Sequence, residues 1–101
     1  MVKLIALYRK PENSGAFDAH YFDVHAPLAG RMPGLRRIEV ARVTGSPMGA
    51  TDYHLIAEMY FDSQEAAVAA LGSPEGKAAG KDLMGFAGKL VHLMFAEVRP
   101  T

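Results

Sequence analysis

The sequence predicts an α+β domain in which strands and helices follow the order β-α-β-β-α-β and the four strands form one antiparallel sheet. Three observations predict it. Phe17, Tyr21, Val24 and Leu28 recur at i, i+4, i+7 and i+11, the spacing of one apolar stripe along a helix. Tyr53, Leu55, Ala57, Met59 and Phe61 occupy every second position of one run, the period of a strand. Leu90–Val98 is largely apolar on both parities, with Val91, Leu93 and Phe95 on one side and His92, Met94, Ala96 and Val98 on the other. A strand of that kind is covered on both faces.

Taken in order, Val2–Arg9 is short, rich in Leu, Ile and Tyr, and stopped by Pro11, so it reads as the first strand. Ser14 is the expected cap of a helix beginning at Gly15 to Phe17, with Asp18 near its positive end. Pro27 lies too deep in this helix to be a first-turn proline, which predicts a kink or restart near Ala26. Pro33-Gly34 closes the segment with a turn. Leu35–Thr44 mixes β-branched and charged residues as a partly exposed strand does, Gly45–Ala50 is the longest loop signal, and Tyr53–Phe61 is the third strand. Asp62, with Glu65 three residues on, has the spacing of a capping box for the second helical region. That region breaks at Gly72-Ser73-Pro74, resumes from Glu75 to Ala87, and leads into the last strand, Leu90–Val98.

This order is that of the split-βαβ, ferredoxin-like fold, whose helices cover one face of the sheet. Along Tyr53–Phe61 the other parity holds His54, Ile56, Glu58 and Tyr60, neither a plain solvent face nor a plain core. A chain of 101 residues has too little material to cover that second face, so the expectation is a homodimer whose sheets face each other around a shared cavity.

Composition narrows the function. The whole chain, residues 1–101, is the size of one domain. Half of its residues are hydrophobic, enough for a packed core. Eleven basic residues balance eleven acidic ones, so no basic excess draws the chain to nucleic acid or an anionic membrane. The absence of cysteine excludes disulfides, thiolate nucleophiles and cysteine-ligated metals. The N-terminal apolar run, Leu4–Tyr8, is shorter than a signal peptide requires, and no run approaches a membrane span. The expected location is the cytoplasm. No phosphate-cradling glycine loop and no nucleophile elbow is present.

Several stretches together resemble the EthD-like family of the dimeric α/β-barrel superfamily. They are Lys3-Leu4-Ile5 with Arg9-Lys10-Pro11, Tyr21-Phe22 with His25-Ala26-Pro27-Leu28, Pro33-Gly34-Leu35, Phe61-Asp62-Ser63 with Glu65-Ala66, and Ser73-Pro74-Glu75. Where many relatives carry a tryptophan before the histidine, this chain has Phe22 and no tryptophan anywhere. The resemblance implies a dimeric barrel with a pocket for a small organic molecule. It fixes no reaction: the family takes its name from a degradation pathway for an ether fuel additive, and the superfamily includes isomerases, cofactor-free monooxygenases and haem-degrading enzymes.

His25 is the candidate catalytic residue, because an imidazole titrates near neutral pH and the resemblance places it in the distinctive helix end. Its structural alternative is a helix-end histidine bonded to a carbonyl. Tyr8, His54 and Tyr60 are the candidate substrate-binding residues, able to orient a carbonyl, phenol or carboxylate; packing or interface contacts are the alternative for each. His20 lies five residues before His25, about 140° away on a regular helix, so the two are not expected to hold a metal. Asp18, Asp23 and Glu12 read as solvated charges, and Glu39 is placed to pair with Arg37. The leading expectation is acid/base chemistry without a cofactor on an apolar, oxygenated substrate. The others are a non-catalytic ligand carrier serving a degradation pathway, and haem binding through His25, His54 or His92.

Overall fold

Alternation along the first strand decides which way the sheet faces. In β1 (Val2–Arg9), Val2, Leu4, Ala6 and Tyr8 are buried, while Lys3, Ile5 and Leu7 between them are half-buried on the opposite side. The computed structural model, which describes residues 1–101, continues with α1 (Ser14–His20), one π-helical turn (Tyr21–His25), α2 (Ala26–Ala29), β2 (Arg37–Arg42) and β3 (Tyr53–Phe61). It ends with α3 (Gln64–Gly72), α4 (Pro74–Ala87) and β4 (Val91–Glu97). The strands form one antiparallel sheet in the order β2-β3-β1-β4, which is the expected ferredoxin-like arrangement. No helix is long and apolar enough to cross a membrane.

The pairing register gives the sheet two faces of different character. On the helix side Ile38, Met59, Leu4 and Phe95 form one row, and Val40, Ala57, Ala6 and Leu93 the next. Helices pack on this side, with Phe61, Leu55 and Tyr8 the largest side chains fully out of solvent. The open face carries the rows Arg37-Tyr60-Lys3-Ala96, Glu39-Glu58-Ile5-Met94 and Ala41-Ile56-Leu7-His92. Its charges pair within the face, Lys3 with Glu58 and Arg37 with Glu39, and no helix covers it. The alternation expected for β3 fails at one point. Tyr8 lies opposite Leu55 and Arg9 opposite Tyr53, so His54 is the extra residue of a β-bulge. A bulge re-aims the side chain it carries, and His54 turns to the helix layer, its ring centre 5.5 Å from that of Phe17 in an edge-to-face arrangement.

The caps differ from the expected ones by a residue each. Asn13, not Ser14, caps α1, its side-chain oxygen accepting from Ala16 N–H at 3.0 Å. Ser63, not Asp62, caps α3. Asp62 is taken up by Arg36, which donates to both its oxygens at 2.6 and 3.0 Å, and an aspartate held from outside does not turn back to cap a helix. The expected break between α3 and α4 is a single residue. The Ser73 N–H bonds Ala70 O as α3 ends, and its hydroxyl accepts from Gly76 N–H as α4 begins. The chain turns so tightly here that a Cβ on Gly76 would lie 2.0 Å from Ala70 O and 2.7 Å from Leu71 Cα. Pro33-Gly34 makes the expected turn, with Gly34 at φ +81°, a conformation that glycine alone adopts freely.

Candidate functional site

The restart expected near Ala26 takes the form of a π-helical turn, and that turn builds the site. Ala26 N–H reaches back five residues to Tyr21 O, and Pro27, which has no N–H to donate, follows at once. The wider turn re-phases the helix. Phe17, Tyr21, His25 and Ala29 are buried in succession at four-residue steps. Val24, expected on the apolar stripe, is instead exposed, and Leu28 is only half-buried. His25, expected at the margin of that stripe, lies within it.

The same turn brings His20 and His25 to one carboxylate on α4. Asp82 lies with Oδ2 3.0 Å from His25 Nδ1, and with Oδ1 and Oδ2 at 2.8 and 3.1 Å from His20 Nε2. On a regular helix, residues five apart diverge; here both imidazoles converge. His20 is half-exposed, Asp82 lies between, and His25 is 93 % buried. A carboxylate only accepts, so Nδ1 of His25 carries the proton and Nε2 is left as a bare acceptor. That nitrogen has no partner within the protein, yet it is not sealed off, since no buried side-chain nitrogen or oxygen lacks a hydrogen bond. What it faces is a cavity.

The cavity lies between the helix face of the sheet and the helices, within one chain, and measures about 210 Å³. Fourteen of its seventeen lining residues are hydrophobic, and none is a lysine or arginine. Its space comes from small residues facing one another. Ala6 and Ala57 sit opposite in the sheet, with Ala29, Ala79, Gly76 and Gly80 across from them. Its polar groups are His25 and the phenols of Tyr8 and Tyr21, whose ring centres are 5.7 Å apart. Burial pushes the Tyr8 phenol up, helped by Tyr21 and Asp82, and pushes that of Tyr21 up to about 12. Both phenols therefore hold their protons at neutral pH and are donors. Burial lowers the pKa of His25 against the raising effect of its bond to Asp82, and the neighbouring His20 lowers it further. A buried imidazole that is neutral at pH 7, with a carboxylate behind it and two phenols beside it, can take a proton from a bound molecule.

Of the four residues singled out from the sequence, the structure brings together His25 and Tyr8. His54 does not line the cavity: its Nε2 is 2.7 Å from Asp18 Oδ1, while Arg42 donates to Asp18 Oδ2 at 2.9 Å. The bulge thus turns Asp18, expected to be a solvated charge, into the centre of a clamp joining α1 to β2 and β3. Tyr60 lies on the opposite face of the sheet, between Lys3 and Arg37, whose guanidinium is 4.2 Å from its ring centre. His92 is exposed beside Arg9. Sequence reasoning missed Tyr21 as a cavity residue, and Asp82 altogether. The signal for Asp82 is faint: an acidic residue directly before Leu83, on the helix whose Ala79, Leu83 and Ala87 are buried.

Known proteins share this architecture and, for two of them, much of the sequence. The EthD domain pattern matches residues 9–89, a span that includes both histidines and Asp82. The chain is 32% identical over 100 residues, 96% of its own length and 94% of the other's, to an uncharacterized 11.0 kDa protein of Rhodococcus erythropolis from a thcB-thcC intergenic region. It is 55% identical to an ethyl tert-butyl ether (EthD) family protein of Bacillus halodurans C-125, whose crystal structure superposes with a TM-score of 0.95 over 98% of this chain and 99% of that one. At 18% identity the fold alone is shared with SnoaB, a cofactor-independent oxygenase from Streptomyces nogalater, with a TM-score of 0.70 over 99% of this chain and 94% of that one. By a domain match across most of its length and by both of these close likenesses, the chain belongs to the EthD family.

Proposed function

We propose that this protein carries out cofactor-independent acid/base chemistry on a small, apolar, oxygenated molecule in a catabolic or tailoring pathway. One observation carries the reading: His25 is fixed by Asp82 through Nδ1 while its unpartnered Nε2 borders a mostly apolar cavity. In this reading Nε2 removes a proton from a carbon next to a carbonyl or from the oxygen of a phenol, leaving the negative charge on the substrate oxygen. Asp82 stabilises the imidazolium that forms, and the Tyr8 and Tyr21 hydroxyls donate to the substrate oxygen as charge develops on it. The likeness to a cofactor-independent oxygenase supports the fold's suitability for such work. The test is hydrogen exchange of one-ring enolisable ketones in D₂O, followed by proton NMR. The wild type is expected to exchange the hydrogens beside the carbonyl faster than buffer does, and His25→Gln to lose about 10²-fold of that rate. Exchange undiminished in His25→Gln would sink the assignment. Saturable binding with no exchange of any ketone would move the reading to a ligand carrier.

The open face supports a second subunit as the other half of the proposal. Ile5, Leu7 and Ile56 form an apolar patch at the centre of the sheet, Met94 extends it outward, and Lys3, Glu58, Arg37 and Glu39 flank it. A patch of this kind, rimmed by charge, is the anatomy of a protein interface. The proposed homodimer packs these faces together, and it separates partner from ligand, because the cavity is on the other side of the sheet. Ile56→Glu places an unpaired charge at the middle of that face. The wild type is expected to sediment as a dimer at micromolar concentration and Ile56→Glu as a folded monomer; a monomeric wild type would remove the barrel.

A further inference from the structure

Gly80 lies in the interior of α4, where glycine is about 1 kcal/mol worse than alanine, yet nothing in its surroundings requires glycine. Its backbone is ordinary, and a Cβ built there would meet no atom within 4 Å. Gly76, one turn earlier, shows the contrast, since backbone fills the space where its Cβ would go. What Gly80 borders is the cavity, at the place where the cavity's lining reaches solvent. Most of the lining side chains are buried, but Met84 is 56 % and Leu93 47 % exposed, and these two stand with Gly80 on the α4–β4 side. We infer that the gap between α4 and β4 is the ligand entrance, with Gly80 its unobstructed wall and Met84 and Leu93 its apolar lips, and that it admits a neutral one-ring molecule bearing a single hydroxyl or carbonyl oxygen.

This inference rests on the cavity reading proposed above and adds the class of occupant. Size sets the ring count: an apolar cavity of about 150 Å³ takes benzene, and this one, at about 210 Å³, holds one ring with a few further atoms. Polarity sets the rest. Tyr8, Tyr21 and His25 are each more than nine-tenths buried and supply the hydrogen-bonding groups. No cation lines the walls, and Asp82 stands behind His25, so a carboxylate entering here leaves water without a counter-charge.

The probes are p-cresol and benzoate, titrated by calorimetry, with the His25 ring nitrogens followed by NMR. Cresol is expected to bind and shift the Nε2 resonance, with benzoate at least tenfold weaker. Gly80→Leu, which plugs the gap, is expected to weaken cresol at least tenfold. Gly85→Leu, an exposed change on the same helix that does not touch the cavity, is expected to bind as the wild type does. Thermal melts establish that both variants are folded. Benzoate binding as tightly as cresol overturns the class of ligand, and full cresol affinity in folded Gly80→Leu overturns the entrance. Neither result bears on whether His25 moves protons, because ketone exchange reads that separately.

Discussion

Asp82→Asn is expected to slow the His25-dependent step by about 10²-fold and to shift its pH dependence toward acid. The carboxylate fixes the proton on Nδ1 and stabilises the imidazolium; an amide does neither reliably, because it presents a donor as readily as an acceptor. The direction of the pH shift follows from the balance at His25. Burial lowers its pKa, Asp82 raises it through a hydrogen bond and charge, and His20 lowers it. Removing the Asp82 charge leaves burial less opposed, so the imidazole becomes harder still to protonate. In the wild type the rate is expected to hold from neutral pH down past the ordinary histidine value of about 6.5, and to fall only as pH drops through the lowered folded value. Stability follows the same sign. The unfolded chain takes up this proton first, so the contribution from neutral burial of His25 is lost as pH falls from the unfolded value to the folded one, and changes no further below it. A pH–rate profile beside an NMR titration of the ring checks both. A His25 midpoint above 6.5, or one that does not fall in Asp82→Asn, contradicts this account.

Gly76→Ala is expected to be the most damaging one-carbon change in the chain. Its methyl would be placed 2.0 Å from a carbonyl oxygen and within 3 Å of two further backbone atoms of Leu71. Overpacking against side chains that yield costs about 1–3 kcal/mol. Backbone held between two helices yields less, so about 3 kcal/mol and a fall in Tm of more than about 10 °C are expected. Gly85→Ala, nine residues on in the same helix, has open space at its Cβ and is expected to gain up to about 1 kcal/mol from helix propensity. Paired thermal melts test the contrast, and a Gly76→Ala protein as stable as the wild type would mean that α3 and α4 are not packed this closely.

The fold was legible because β1, β3 and the first helical segment carry their own periodicity, and Pro and Gly mark most of the boundaries between elements. The caps were less so. Asn13 and Ser14 both suit the cap of α1, and Asp62 and Ser63 both suit that of α3; only the tertiary pull of Arg36 on Asp62 decides the second. Tyr8 could be singled out by residue type and strand parity, and His25 by its imidazole and the resemblance of its helix end to the family. The convergence of His20 and His25 could not, because angular spacing assumes 3.6 residues per turn and the chain departs from it at Tyr21–His25. Pro27 signalled that something breaks there, but not that the break widens the turn. His54 was misread for a related reason: period-two counting assumes an unbroken ladder, and one extra residue on β3 reverses the side it faces. Asp82 is invisible to local patterns, since its meaning comes from a helix more than fifty residues away in sequence.

The two-faced sheet has a consequence for how this chain can vary. Along β1 and most of β3, consecutive residues answer to different constraints, one to what the cavity holds and the next to what covers the open face. Point changes can therefore drift almost independently on the two channels, as if two messages were interleaved on one tape. A single inserted or deleted residue would swap the messages wholesale, sending Lys3 and Glu58 inward and Leu4 and Met59 out. Length changes in this lineage should accumulate in the loop at Gly45–Ala50 and spare the strands, however freely the letters within those strands are rewritten.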